Sequence, residues 1–301
     1  MLSRQRFPSL IERQWPNLLI LSLLTLLYVP LILHWIDGWV NKSISIEHEY
    51  FSHALIGFPF AAYLAWSDRK KWQRLPDQAH PLGAICLLVS VAFYATGTAE
   101  LVNLSFPLML AGLCLWFKGM PGLRLQGFPL LLVLLGTPNS VPYMLTPYTL
   151  PLQEFIAGTA GFVLLQIGIP VQVEGVYIFV NDRLVEVAPY CAGLKMLFTS
   201  WYVSLMLLYW TGAWRSRRKV ITLLIGATFI SVTANIVRNT LLTFFHGTGR
   251  DGAFHLLHES WGGDVYSACM LGLIVLFLNF IDRPDATLAT ETTTSEDTDN
   301  E

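Results

Sequence analysis

Residues 17–36 run from Asn17 to Ile36 without one aspartate, glutamate, lysine or arginine. A helix of that length reaches about 30 Å, the thickness of the hydrocarbon core of a bilayer. Comparable charge-free runs recur at 81–99, 101–117, 196–214, 220–237 and 265–281, with a shorter one at 54–66. Residues 125–153 are also uncharged but hold Pro129, Pro138, Pro142, Pro147 and Pro151, so only their first half reads as a helix. Only 13% of the chain is charged and 53% is apolar, against about 25% charged in an ordinary soluble domain. The expected fold class is therefore an all-α polytopic membrane protein. Residues 17–36 lack a small-residue cleavage site, and they read as a retained helix rather than a signal peptide.

The formal net charge of −2 says nothing about nucleic acid, because the charges are sorted by position and form no basic stripe. Basic clusters mark the cytoplasmic side of a membrane protein. They occur at the N-terminus (Arg4, Arg6, Arg13), at 69–74, at Lys118 and Arg124, at 215–219 and at Arg283. Placing all of them inside gives about eight transmembrane helices with both termini cytoplasmic, provided 155–173 lies at the interface or re-enters without crossing. If it crosses, nine spans result. Between Val171 and Ala188 the apolar period changes from helical to alternating around Asn181-Asp182, the signature of a small β-hairpin on the extracytoplasmic side. The expected organisation is a cytoplasmic segment 1–16, a transmembrane domain 17–281 and an acidic, Thr-rich tail 282–301.

The hairpin leads into Val187-Ala188-Pro189-Tyr190-Cys191-Ala192-Gly193-Leu194-Lys195. A thiol at the first turn of a helix meets unpaired backbone N–H groups and the positive end of the dipole, which favour the thiolate. Lys195 falls one turn along, on roughly the same face. The competing reading makes Cys191 a small apolar residue that merely begins a membrane helix. Cys86, Cys114 and Cys269 lie inside apolar runs and read as packing residues, and no CxxC pair or HExxH suggests a metal site. No cofactor is expected.

With eight spans, Cys191 enters its helix from outside. The 220–237 helix runs outward and ends at Asn235-Ile236-Val237-Arg238-Asn239, and a polar loop with His246, Arg250, Asp251, His255, His258 and Glu259 follows. Thiol, guanidinium and imidazole at one membrane face are the elementary set for thiol acyl transfer. Arg238 could instead snorkel to the interface. Against that, Thr228, Ser231, Asn235 and Arg238 share a helical face, and a polar stripe ending in a charge faces protein or a cavity more often than lipid. Position alone does not choose among His246, His255 and His258. His53 reads as a loop residue or a group supporting the site, with a slight lean to the loop.

Tyr190-Cys191-Ala192-Gly193-Leu194-Lys195, Asn235-Ile236-Val237-Arg238-Asn239 and His258-Glu259-Ser260-Trp261-Gly262 together resemble the exosortase/archaeosortase family of integral membrane cysteine peptidases. Tyr50-Phe51-Ser52-His53 and the stretch from Leu152-Gln153 to Gly168-Ile169-Pro170-Val171 resemble further elements of that family, over about 50–281 in order. Ala192 stands where the family often has serine and Lys195 where it often has arginine, which leaves the subfamily open. The resemblance implies a bacterial inner-membrane transpeptidase with Cys191, Arg238 and His258 as catalytic residues, and it selects His258 over the other two histidines. It implies protein substrates with a C-terminal tripartite signal: a Pro-Glu-Pro-like (PEP-CTERM-like) motif, a transmembrane helix and a basic tail. Cleavage would occur at the outer face through a thioester, followed by transfer to an acceptor. The rival readings are a multi-spanning transporter and a histidine-dependent membrane acyltransferase. The near absence of charge in mid-span and of an internal repeat weighs against the transporter, and only the peptidase requires a covalent adduct on Cys191.

Overall fold

The computed structural model describes residues 10–41, 50–189, 193–258 and 260–282. The chain is mainly helical with one small sheet, and it divides into two compact units, Met1–Pro142 and Tyr143–Glu301.

The first unit holds α1 (Leu10–Asn41), α2 (Ala54–Ser67), α3 (Arg69–Arg74), α4 (Pro81–Ala95), α5 (Ala99–Leu125) and α6 (Gly127–Gly136). On α1 the buried residues Tyr28, Trp35 and Trp39 recur at steps of seven and four, one helical stripe, while Leu23, Leu26 and Leu33 between them stay exposed. The stripe packs edge-on against aromatic rings of neighbouring helices, with Trp35 6.0 Å from Phe58 and 5.8 Å from Phe106. Several polar atoms inside the unit bond to each other, while the buried Trp39 Nε1 has no partner among the described residues. Tyr28 Oη lies 3.0 Å from Ser105 Oγ and 3.3 Å from Ser90 Oγ, and Trp35 Nε1 donates to Asn103 Oδ1 at 2.9 Å. His53 lies in the turn that precedes α2 and is buried, with Nε2 3.4 Å from the Leu135 carbonyl. Lys118 and Arg124 both lie within α5, which is kinked at Gly119. Lys118 is buried because its ammonium donates to Asp77 at 2.5 Å and to the Leu75 carbonyl at 2.8 Å.

The second unit takes in most of α7 (Val141–Leu145), then α8 (Leu150–Gln166), β1 (Val171–Glu174), β2 (Tyr177–Val180), β3 (Arg183–Glu186), α9 (Leu194–Thr211), α10 (Arg217–Gly247), α11 (Asp251–His258) and α12 (Trp261–Asp282). The expected hairpin is a three-stranded antiparallel meander in the order β1-β2-β3. Asn181 and Asp182 form the β2–β3 turn, both at positive φ, as a two-residue hairpin turn requires. The missed turn is Gly175-Val176, where the apolar alternation shifts from Val171 and Val173 to Val176, Ile178 and Val180; Val173 pairs with Ile178 across it. Ile178, Val180 and Val187 of the sheet side form one core with Ile156, Ala157, Ala160 and Leu164 of α8. Helix thus ends at Gln166, and 155–173 is not a single helix.

Four segments are long and apolar enough to cross a bilayer: Ser22–Val40, Ala99–Leu125, Arg217–Gly247 and Trp261–Asp282. Counting the broken stretch 127–166 as one span makes five. α2 and α4 are apolar, but at 14 and 15 residues they are shorter than the roughly 20 that span a core unaided. Eight spans are therefore not reached by length among the described residues.

Candidate active site

Two long antiparallel helices build the site region. Lys219 near the start of α10 pairs with Asp282 at the end of α12. Nineteen residues further along α10 and nineteen back along α12, Arg238 meets Gly263. Between these points Tyr266 Oη donates to the Ala234 carbonyl at 2.5 Å. A Cβ on Gly263 would stand 3.6 Å from Arg238 Nη2 and 2.9 Å from the Leu257 carbonyl oxygen. The missing side chain thus lets the guanidinium and the end of α11 share one spot beside α12.

The face of α10 that leads to Arg238 is polar and turned inward. Ser231 and Asn235 are each 1% exposed, and Thr228 accepts from Trp201 Nε1 at 2.9 Å. Arg238 itself is half-buried, and among the described residues its Nε has no hydrogen-bond partner. The helix does not end at Asn235–Asn239 as the sequence suggested. It runs eight residues beyond Asn239, to Gly247, because the sheet covers its last turns: Asn181 Nδ2 donates to the Gly247 carbonyl at 3.1 Å, and Arg183 Nη1 to the His246 carbonyl at 3.0 Å.

The expected polar loop is also helical over most of its length. His246 sits in the last turn of α10, its Nδ1 3.9 Å from Asp251. Asp251 opens α11, where an acidic side chain suits the helix dipole, and pairs with Arg183 at 2.7 Å. His258 closes α11 with its Nδ1 shielded from solvent. Its ring stacks on Phe254, centroids 5.1 Å apart and planes 10° from parallel, and Phe254 lies 5.2 Å from His246. His255 is exposed. Leu256 and Leu257 press their carbonyls on Gly262 and Gly263, and a Cβ on Gly262 would stand only 2.5 Å from the Leu256 oxygen.

Cys191 lies outside the described residues, as do Tyr190, Ala192 and Glu259. α9 begins at Leu194, with Gly193 as its cap at a φ of 86°. The expected shared face of Cys191 and Lys195 therefore lies outside the described residues. Gly193 nevertheless abuts the site helix: a Cβ there would stand 2.8 Å from Asn235 Cγ and Nδ2, one turn before Arg238. Both the backbone angle and the close approach require glycine. The structure therefore gathers Gly193, Asn235, Arg238 and the His258 end of α11 around α10. Sequence reasoning missed Arg183, Asp251 and Tyr266; the acid-first pattern of α11 and the Gly262-Gly263 pair were the available signals. Among the described residues, no group of three or more His, Cys, Asp or Glu side chains could hold a metal ion.

Residues 35–275 match the family model described as Transmembrane exosortase (Exosortase_EpsH). The chain belongs to the transmembrane exosortase family. It is thus a multi-pass membrane protein, and its family is generally one of cysteine peptidases and transpeptidases with a role in protein sorting. No curated protein and no solved structure matches the chain.

Proposed function

We propose that this exosortase is a cysteine transpeptidase of the bacterial inner membrane that cleaves C-terminal tripartite, PEP-CTERM-like sorting signals at the extracytoplasmic face. Cys191 is the nucleophile, His258 the proton carrier and Arg238 the oxyanion partner. The thiolate attacks the scissile carbonyl, and the oxyanion that forms is met by the Arg238 guanidinium. The imidazolium of His258 protonates the departing amine as the C–N bond breaks, leaving a thioester on Cys191. The acceptor nucleophile then gives its proton to His258, attacks the thioester and releases the thiolate. No metal or cofactor enters these steps.

The observation that carries this reading is the meeting of Arg238, Gly263 and the His258 end of α11, in a chain that belongs to this family. Gly193 against Asn235 adds to it, since two residues of chain reach at most about 7 Å from Gly193. Depth in the membrane supports the outer face. The 21 residues from Arg217 to Arg238 rise about 32 Å, one hydrocarbon thickness above the basic cluster at 215–219. The sheet supports the eight-span topology: a meander with open edges does not occur in hydrocarbon, and α8 packs along it from Ile156 to Leu164. This packing favours a position of α8 outside the membrane core.

The test is processing of a tagged substrate that carries a tripartite C-terminal signal, with a membrane-impermeant thiol reagent applied to intact spheroplasts. Cys191→Ala and His258→Ala should each abolish cleavage, and the reagent should label Cys191 while Cys86, Cys114 and Cys269 stay unmodified. Normal processing by Cys191→Ala would end the peptidase reading, and labelling of Cys191 only from the cytoplasmic side would end the topology.

A further inference from the structure

The sheet contacts α10 through its β2–β3 turn and the residues beside it, at the corner where α10 gives way to α11. We infer that Arg183 is a positioning residue for His258: its guanidinium sets the direction in which α11 leaves α10, and hence where the imidazole stands. This rests on the role of His258 proposed above.

α11 has eight residues, too few to hold a helix by its own propensity, so its orientation comes from what grips its ends. At the far end the grip is the contact of Leu256 and Leu257 with Gly262 and Gly263. At the near end it is Arg183. One nitrogen, Nη1, donates both to the His246 carbonyl in the last turn of α10 at 3.0 Å and to Asp251 Oδ1 in the first turn of α11 at 2.7 Å. Asn181 Nδ2 on the Gly247 carbonyl holds the turn itself in place. A planar guanidinium keeps those two directions fixed relative to each other, which a freely rotating ammonium does not. From Asp251 to His258 is about 10 Å of helix, so a small tilt at the first residue moves the imidazole by an ångström or more.

The pair is a poor candidate for a fold staple. The side chains of Arg183 and Asp251 are 40% and 54% exposed, and ion pairs this open contribute little to global stability. Misplacing a catalytic group by about 1 Å, by contrast, costs up to roughly a hundredfold in rate. Arg183 should therefore show in turnover and hardly at all in folding.

The experiment uses the full chain in membranes with the tagged substrate at graded levels. It compares wild type, Arg183→Ala, Arg183→Lys, Asp251→Asn and Cys191→Ala, and records thermal unfolding of each in detergent. Arg183→Ala should lower the maximal processing rate by about tenfold or more, with the half-saturating substrate level and the unfolding midpoint close to wild type. Arg183→Lys should recover only part of the rate, and Asp251→Asn, which keeps an acceptor oxygen, should lose less than Arg183→Ala. A wild-type rate in Arg183→Ala overturns the proposal. So does a loss of rate that follows loss of folded protein in Arg183→Ala and Asp251→Asn alike, since Arg183 would then be structural only. Cys191→Ala separates this from the reading beneath it: if it processes normally the peptidase itself is wrong, and if it is dead while Arg183→Ala is normal, only the positioning role falls.

Discussion

In the first unit several polar atoms carried by apolar helices find one another, although the buried Trp39 Nε1 has no partner among the described residues. Tyr28, Ser90 and Ser105 share one cluster, Trp35 bonds to Asn103, and Asn103 Nδ2 donates to the Pro138 carbonyl at 3.1 Å. Even Lys118, 8% exposed, is matched by a carboxylate and a carbonyl. The second unit has a similar inward polar stripe on α10, but the stripe ends in a guanidinium whose Nε has no partner among the described residues. With little water in the bilayer core to compensate, a matched polar group joins helices and an unmatched one is costly. The first pattern is that of a scaffold. The second suits the oxyanion role proposed above for Arg238, since a donor meant for a transition state has to be left unspent in the resting protein.

The sharpest way to break that contrast is Arg238→Lys. It preserves the positive charge and discards the planar fork of donors. If Arg238 stabilises an oxyanion, processing should fall by about a hundredfold to a thousandfold, the cost of one such donor. Substrate processing in membranes with matched protein levels measures it. A snorkelling arginine would tolerate lysine with little loss, and near-normal processing would leave a Cys–His pair and make the second unit as ordinary as the first.

Next in size is the glycine pair that seats α11. In Gly262→Ala the new Cβ would stand 2.5 Å from a backbone oxygen of Leu256, and backbone cannot swing aside as a flexible side chain can. Forcing an extra carbon into such a contact costs about 1–3 kcal/mol. Here the strain is relieved by moving α11, so processing should fall about tenfold or more while the α10–α12 pair stays folded. Gly272→Ala on the same helix is the control. Nothing lies within 4 Å of its Cβ position, and alanine there should be neutral or slightly stabilising. Equal effects of the two substitutions would show that α11 is not held by this contact.

These cases also mark what the sequence could disclose. The apolar runs, the turn at Asn181-Asp182 and the inward face of Ser231 and Asn235 follow from local pattern, and the structure has them. The end of α10 was misjudged because Arg238 and Asn239 look like an exit from the membrane, which was taken for an exit from the helix. What carries the helix on to Gly247 is the bonding of Asn181 and Arg183, more than sixty residues earlier in the chain, and no local window contains that. α11 escaped notice for the same reason. Eight residues carry too little periodicity to announce a helix, and the contacts that sustain it come from β3 and α12. The β1–β2 turn at Gly175 is different, because Glu174-Gly175 and the shift of the apolar alternation from odd to even positions are local signals of it. The end of α10 and the whole of α11, by contrast, are set by pairing between distant segments.

On the scaffold side, Tyr28→Phe removes the hydroxyl from its cluster without leaving an orphan. Ser90 Oγ still donates to the Ser105 carbonyl at 2.8 Å, and Ser105 Oγ to the Val102 carbonyl at 2.6 Å. The loss should be about 1 kcal/mol or less in unfolding by SDS from mixed micelles, since interhelical hydrogen bonds in membranes average about 0.6 kcal/mol. Processing should be unchanged. A large fall in processing at full stability would mean that the first unit contributes to chemistry, and the contrast drawn above would not hold.

The smallest effect is expected at the end of the α10–α12 pair away from Arg238. Lys219 and Asp282 bridge the two helices nineteen residues from Arg238 and Gly263, the same antiparallel register read at its other end. Their side chains are 37% and 40% exposed, so water and salt screen the pair, and such bridges contribute between nothing and about 1 kcal/mol. Register is also held independently, by Tyr266 on Ala234 and by Leu223, Ala227, Ile274 and Leu278 in one buried cluster. Asp282→Asn should therefore shift unfolding by a few tenths of a kcal/mol, less still at high salt, and leave processing within about twofold of wild type. A loss comparable to that of Gly262→Ala would show that the bridge sets the sliding of α12 along α10. The placement of Arg238 against Gly263 would then be fixed from the Lys219–Asp282 end of the pair, and the sheet and α11 would follow it.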